Sequence, residues 1–257
     1  MHPLFQLQGK VAIVTGGTRG LGLAIARCYA QAGAQLLISS ENAADCARAE
    51  ALLQNEGLSV QAQVCDVRDD AAQARLVQTA VARWGGLDIV VANAGVGDPM
   101  RGSLGAEPEA YRQVMAINLD SIVRLCALAA PALKARGGGS LVLMSSLSAL
   151  RGNRALGPYA LAKAALSQLA RNLAVELGPD NIRTNAIAPG FIRTELAAPL
   201  LADAAFMARR LQMTPLRRPG EPDEVAGPAL LLASAAGAFI NGQTLVVDGG
   251  TLITDGS

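Results

Sequence analysis

Short apolar runs alternate with helix-forming stretches along almost the whole chain, and few architectures accommodate that pattern. Val11–Thr15 is a β-branched run, followed by an amphipathic segment over residues 21–32. Residues 35–39, 59–64, 87–92, 140–144 and 182–187 and Thr244–Val247 read as further strands. Helical patterns lie between them at Ala43–Asn55 and residues 71–84, 109–135 and 157–177, the last opened by Pro158 near its first turn. Strands that are apolar nearly throughout, each followed by a helix, imply a parallel sheet covered on both faces. No repeat or low-complexity linker divides the sequence, so residues 1–257 are read as one α/β domain with a doubly wound parallel sheet. Residues 194–220 break the alternation. They carry Leu196, Leu200, Leu201, Phe206 and Met207 before a Pro- and Arg-rich end, and follow the sixth strand on the side where such sheets bind ligands. A small helical lid is expected there.

Composition removes several alternatives. With 51% hydrophobic and 17% charged residues in 257, the chain is neither disordered nor highly charged. Its 22 basic and 21 acidic residues leave no global field for holding nucleic acid. The only histidine is His2, which excludes a histidine triad, a histidine-ligated zinc and a histidine base. Cys28, Cys46, Cys65 and Cys126 show no CxxC or metal-site spacing. A reducing, cytoplasmic compartment is the expectation. The first eight residues have no signal-peptide pattern. Residues 226–241, the most apolar part of an uncharged stretch, are interrupted by Gly, Pro and Ser and are shorter than the roughly 18–20 residues of a membrane span. No membrane partner is expected.

The first strand runs directly into Thr15-Gly16-Gly17-Thr18-Arg19-Gly20-Leu21-Gly22 and then a helix. Glycines at 16, 20 and 22 allow a tight turn and a close backbone approach to a pyrophosphate, whose charge the helix N-terminus favours. Dinucleotide binding is the reading. Tyr159 and Lys163 stand four apart on a helix and share one face. An ammonium beside a phenol favours the phenolate, giving a usable acid/base near neutrality. Ser146, at the end of the fifth strand, is suited to hydrogen-bond a substrate oxygen as charge develops on it.

The glycine spacing is GxxxGxG, and with it the chain resembles the short-chain dehydrogenase/reductase family over nearly its full length. Ala92-Asn93-Ala94-Gly95 is similar to the family's NNAG element, departing at Ala92. Ser145-Ser146, Tyr159-Ala160-Leu161-Ala162-Lys163, Pro189-Gly190 and Thr194 carry the rest of the resemblance. It implies a Rossmann-type fold and hydride transfer between a nicotinamide cofactor and a carbonyl or secondary alcohol. The implied catalytic set is Asn118, Ser146, Tyr159 and Lys163, with Asn118 shaping the fourth helix and holding a water in a proton relay. The implied cofactor contacts are Gly16, Thr18, Arg19, Gly20, Leu21, Gly22, Ser39, Ser40, Asp66, Val67, Asn93, Ala94 and Gly95. Tyr159, Lys163, Pro189, Gly190, Ile192 and Thr194 complete them. Asp66-Val67 matches the position beside the adenine, although a helix N-cap is an alternative role for Asp66.

Ser40 stands where NAD-specific relatives carry an acid, and Arg19 is placed to pair with a 2′-phosphate. Glu41 opposes that phosphate if its carboxylate turns inward. The balance points to NADP(H), with NAD the alternative. Among relatives the resemblance is to the 3-oxoacyl carrier-protein reductase and carbonyl-reductase branch. An NAD-linked sugar or polyol dehydrogenase is the second reading, and a non-catalytic dinucleotide sensor a remote one. Met100, Ser148, Leu150, Asn153, Leu156 and Phe191 are substrate candidates by sequence position. Arg151, Arg154 and Arg193 cluster in the same loops and are candidates for an anionic group, with Asp98 an alternative partner for one of them. The alanine- and leucine-rich fourth and fifth helices carry more apolar surface than one sheet face needs. The resemblance implies a homotetramer built on them.

Overall fold

The computed structural model describes residues 2–97 and 101–254. Its strands are β1 (Val11–Thr15), β2 (Gln35–Ser40), β3 (Val60–Val64), β4 (Ile89–Ala92), β5 (Gly139–Met144), β6 (Ile182–Pro189) and β7 (Thr244–Val247). All pair in parallel, in the order β3-β2-β1-β4-β5-β6-β7. The main helices are α1 (Gly20–Gln31), α2 (Ala43–Asn55), α3 (Asp70–Trp84), α4 (Pro108–Met115), α5 (Ser121–Ala135) and α6 (Pro158–Leu177). α7 (Ala198–Leu201), α8 (Ala204–Gln212) and α9 (Asp223–Ala233) follow.

Alternate residues of each strand feed two separate cores. Ala12, Val14, Leu36, Ile38, Val91 and Val142 point to one face, where Ile25 and Tyr29 of α1, Leu53 of α2 and Leu230 of α9 cover them. Val11, Ile13, Leu37, Val90, Leu141 and Leu143 point to the other, under Leu76 of α3, Leu125 of α5 and Leu166 of α6. With a core on each side, every strand position must be apolar, which is why the strands read as unbroken runs rather than alternating ones. The edge strands β3, Val-Gln-Ala-Gln-Val, and β7 are only partly buried, and β6 carries Arg183, Thr184 and Asn185 near its start.

α9 was absent from the expected elements, because Gly227 and Pro228 look like helix breakers and residues 226–241 were read only as an uncharged stretch. Pro228 instead lies inside the helix, which packs against α1 and β5. The expected fourth helix is continuous in direction but changes pitch: one π turn, Ala116–Asp120, separates α4 from α5. This segment, Pro108–Ala135, is long and apolar enough by composition to cross a membrane. Here its inward face packs on β4 and β5, as a core helix does. Its outward face, with that of α6, keeps Val123, Leu161 and Val175 exposed.

Lid residues 194–220 leave the sheet after β6 and return through a parallel bridge between Ile192 and Gly220. Neither α7 nor α8 buries a residue fully. The lid rests on partial contacts, so its packing gives it less stability than the sheet helices.

At the amino ends of the central strands β1 and β4, one buried carboxylate closes the base of the sheet. Asp88 accepts from the Val11 amide at 3.0 Å, from Lys10 at 3.1 Å and from Arg136 at 3.1 Å. Burial pulls its pKa upward, but these three donors together hold it below the ordinary carboxylate value. A depressed carboxylate pKa stabilises the fold fully above its unfolded value, and that contribution is lost as pH falls through the folded one. Asp88→Asn is expected to cost about 1–3 kcal/mol near neutrality. In thermal melts the gap between wild type and Asp88→Asn should shrink as pH drops below about 4. A gap constant with pH would refute this assignment.

Candidate active site

The chain order turns back between β1 and β4, so the loops leaving those two strands part and leave a crevice at their carboxyl ends. β1 opens into the glycine turn. Gly16 has φ +60° and Gly20 φ +53°, a region that favours glycine. A Cβ on Gly22 would lie 2.0 Å from the Gly16 carbonyl oxygen, so the first turn of α1 can sit this close only without a side chain. Asn42 and Asp69 cap α2 and α3 with their side chains, whereas Arg19, at the N-cap of α1, does not. The leading N–H groups of α1 thus face the crevice without a side-chain acceptor, a cradle that fits the pyrophosphate of a dinucleotide.

Two side chains tie this turn to β4. Thr15 Oγ1 accepts from the amides of Asn93 and Ala94, at 3.1 and 3.2 Å. Asn93 Nδ2 donates to the carbonyls of Thr15 and Gly16, both at 3.0 Å. The Asn93 amide is therefore spent inside the protein, while the backbone from Ala94 to Gly95 remains along the crevice. A cleft of about 680 Å³ lies between α1, the start of the lid and the start of α9, lined by Gly20, Leu23, Arg27, Thr194, Glu195 and Asp223. It adjoins the glycine turn and does not reach Tyr159. Thr194 lies against Gly20, and so does the Glu195 carboxylate, which no sequence motif marked.

At the β2 end, Ser40 is buried and Glu41 exposed, and the Glu41 carboxylate turns in to Ser40 Oγ at 3.3 Å. Ser39 points its hydroxyl into the core with no hydrogen-bond partner, and its carbonyl accepts from Gly17 N–H at 3.0 Å. Thr18 is buried beside them. Asp66 is not the helix cap, a role Asp69 takes. Asp66 instead accepts from the Arg68 amide and pairs with its guanidinium at 2.7 Å. The Val67 carbonyl accepts from Gln73 at 2.6 Å.

The second half of the crevice holds the four polar residues singled out by sequence. Asn118 sits in the π turn, where its side chain accepts from Val96 N–H at 2.8 Å and donates to Val96 O at 2.9 Å. A primary amide can do both at once, so the residue locks the β4 loop to the helix. A Cβ on Gly95 would meet Asn118 Oδ1 at 3.1 Å and Lys163 Nζ at 3.5 Å, which brings these two groups to one point. Ser146, two residues beyond β5, accepts from Ser148 N–H at 3.1 Å while sharing a hydrogen bond with the Tyr159 hydroxyl. Lys163 is buried, donates to Met144 O at 2.7 Å and lies 5.6 Å from the centre of the Tyr159 ring.

Burial pushes the Lys163 ammonium down to about 8. The expectation that Lys163 lowers the tyrosine pKa is not met: burial raises Tyr159, and the Ser146 hydrogen bond offsets only part of that. Ser145 carries part of the resemblance in sequence but was given no role there. Its hydroxyl donates to Lys163 O at 2.8 Å and lies 3.0 Å from Ser167 Oγ, pinning α6 to the end of β5. Its place beside Ser146 was the only signal available.

The expected substrate residues divide. Phe191, Ile192, Pro189 and Gly190 leave the end of β6, with Phe191 against Phe206 of the lid at 5.5 Å between ring centres. Asn153 is a turn former, accepting from Ala155 and Leu156 N–H, so its side chain is committed locally. The three loop arginines do not form one cluster. Arg193 pairs with Glu221 at 3.0 Å on the α9 side, Arg154 is exposed, and Arg151 reaches toward Thr251 O at 3.4 Å. Met100 and Asp98 lie outside the described residues.

Comparison with known proteins accounts for this arrangement as a whole. Residues 16–251 match the family described as enoyl-(acyl carrier protein) reductase. Dehydrogenase/reductase SDR family member 4 of Oryctolagus cuniculus is 43% identical over 245 residues, covering 95% of this chain and 94% of that protein. Among solved structures, a gluconate 5-dehydrogenase from Burkholderia cenocepacia in complex with NADP and tartrate has a TM-score of 0.93 at 36% identity, covering 98% of each chain. A 7α-hydroxysteroid dehydrogenase complexed with NADH and 7-oxo glycochenodeoxycholic acid reaches the same score and identity over 97% of each chain. A parallel sheet with this switch point, a glycine cradle shaped for a pyrophosphate and relatives across nearly the full length lead to one conclusion: the chain belongs to the short-chain dehydrogenase/reductase family, NAD(P)-dependent oxidoreductases acting on alcohol or carbonyl groups.

Proposed function

We propose that the protein interconverts a carbonyl compound and its secondary alcohol, with Tyr159 as the proton donor and acceptor and NADP(H) as the dinucleotide. The observation that carries this reading is the Ser146–Tyr159 hydrogen bond beside the buried Lys163. A bound nicotinamide supplies or accepts the hydride, and every other task falls to the chain. The Tyr159 hydroxyl gives its proton to the carbonyl oxygen in reduction and recovers it in oxidation. Ser146 donates to the same oxygen as charge builds on it. Burial keeps Tyr159 protonated at neutral pH, which suits the donor role. Lys163 supplies positive charge near the ring and a donor for the cofactor ribose, and Asn118 holds the β4 loop at the distance that lets Gly95 pass the Lys163 ammonium.

Tyr159→Phe is expected to lower kcat by about 10²–10⁴-fold while leaving dinucleotide affinity close to wild type. Lys163→Met tests the cost of the buried ammonium. A cation whose pKa falls on folding destabilises the fold below that pKa, and the cost fades as pH rises through it. Ligand-free Lys163→Met should therefore lose turnover yet melt no lower than wild type at pH 7, the difference closing above a pH of about 8. Turnover by Tyr159→Phe equal to wild type refutes the catalytic assignment.

NADP(H) is supported by Arg19, exposed and without an acidic partner among the described residues, and by uncharged Ser40 at the end of β2. The second reading, NAD(H), has one specific observation in its favour: the Glu41 carboxylate takes the inward position, on Ser40 Oγ, that repels a 2′-phosphate. Fluorescence titration with NADPH and NADH separates them. Glu41→Arg should tighten NADPH by about tenfold or more and weaken NADH. Wild type binding NADH far more tightly than NADPH would make Glu41 the deciding charge and overturn the NADP(H) reading.

A homotetramer through α4, α5 and α6 is supported by the apolar side chains that these helices leave in solvent, Val123, Leu161 and Val175 among them. Sedimentation at micromolar concentration is expected to give four copies, and a monomer would refute it.

A further inference from the structure

Two arginines are tied to Thr251, and among the described residues neither has an acid paired with it. Arg151 leaves the short turn Leu147–Ala149 that Ser146 caps, five residues beyond that serine. Arg210 comes from the lid helix α8, its guanidinium 5.4 Å from the centre of the Phe191 ring, and sequence analysis had not marked it. The Arg210 Nε is buried and has no hydrogen-bond partner. Burial and then the charge of Arg151 both weaken the hold of Arg210 on its proton, with Asp248 opposing them. Among the described residues neither arginine makes a salt bridge, although most other arginines here find one. The carboxylate oxygens of Asp248 are taken by Gly250 N–H at 2.8 Å and Leu252 N–H at 2.6 Å.

The local arrangement is held in place rather than frayed. Thr214 Oγ1 donates to Arg210 O at 2.9 Å and lies 3.1 Å from Thr251 Oγ1, while Arg151 reaches Thr251 O. The lid helix, the turn after β5 and the segment after β7 are thereby joined around the two guanidiniums. Like charges brought together with an unpaired buried donor carry a free-energy cost, and a bound anion removes it.

We infer that Arg151 and Arg210 form an anion-recognition site for a carboxylate carried by the substrate, so that the enzyme acts on oxo acids or hydroxy acids rather than on neutral carbonyl compounds. This rests on the proposed oxidoreductase function, whose substrate class it names. Among the described residues, two guanidiniums with Asp248 nearby leave a net charge of one, which a monoanion balances and a phosphate dianion exceeds. The planar fork of arginine matches a carboxylate, and the paired rings of Phe191 and Phe206 offer apolar surface for the carbon skeleton between the carboxylate and the reacting carbon.

The test is the ratio of kcat/KM for methyl-ketone acids over their methyl esters, across chain lengths from 4-oxopentanoate to 8-oxononanoate. For at least one length the ratio in wild type should exceed about tenfold, carried by KM, and fall to about one in Arg210→Gln and in Arg151→Gln. It should persist in Arg154→Gln, and Arg210→Lys should restore part of it. A ratio near one in wild type, or one unaltered by both substitutions, overturns the inference, and so does a higher ratio for phosphorylated ketones than for the acids. Calorimetric binding of the same oxo acids to protein saturated with oxidised dinucleotide separates this failure from that of the function. Carboxylate binding weakened about tenfold or more in Arg210→Gln, without any turnover, would keep the anion site and remove the reductase reading. Tyr159-dependent turnover of esters and acids alike would do the reverse.

Discussion

The clasp between the ends of β1 and β4 is the constraint on which the rest of the site depends. At the switch point two loops must diverge, and backbone polar groups there lose their sheet partners. Thr15 and Asn93 replace those partners with side-chain ones: a hydroxyl that accepts two amides and an amide that donates to two carbonyls. The glycine turn is thereby fixed through carbonyls, that of Gly16 among them, which leaves the leading N–H groups of α1 directed at the crevice. Small size is as necessary as hydrogen bonding. Gly16, Gly17 and Gly22 each stand where a Cβ would come within 3.0 Å of a neighbour in the turn, the β2 strand or the β4 loop.

A second clasp, one strand further along, does the same for the polar residues of the candidate catalytic set. Ser145 fixes α6 through the Lys163 carbonyl, Asn118 fixes the β4 loop through Val96, and Lys163 is left with Met144 O as its acceptor. The ammonium is consequently buried, which costs stability and depresses its pKa to about 8. The π turn at Ala116–Asp120 belongs to this economy. It swings Asn118 out of the ordinary helical ladder, where its side chain can reach Val96. Local irregularity is concentrated where the chemistry is.

The lid is built differently. Its helices bury no residue completely, and they touch the site through a few contacts: Thr194 and Glu195 against Gly20, Leu196 over Gly97, Phe206 on Phe191 and Thr214 with Thr251. A segment held this way can set substrate preference without disturbing the two cores beneath the sheet. The carboxylate of Glu195 beside Gly20 and that of Glu41 on Ser40 put negative charge at both ends of the glycine cradle, whose helix begins at Arg19.

The order and faces of the elements were determined locally. A strand buried on both sides must be apolar throughout, and a turn that admits a phosphate must be glycine, so both are written in consecutive residues. Tyr159 and Lys163 share a helix face by spacing alone. What consecutive residues do not carry is anything that depends on which segments meet. Helix α9 was hidden because Gly227 and Pro228 break helices locally, and only packing on α1 overrides that preference. The tyrosine pKa depends on burial and on where the ammonium lies relative to the ring, neither of which spacing reports. The loop arginines looked like one group in sequence. Tertiary structure paired Arg193 with Glu221 and joined Arg210, almost sixty residues from Arg151, to it through Thr214 and Thr251, because electrostatic partnership is decided by distance in space.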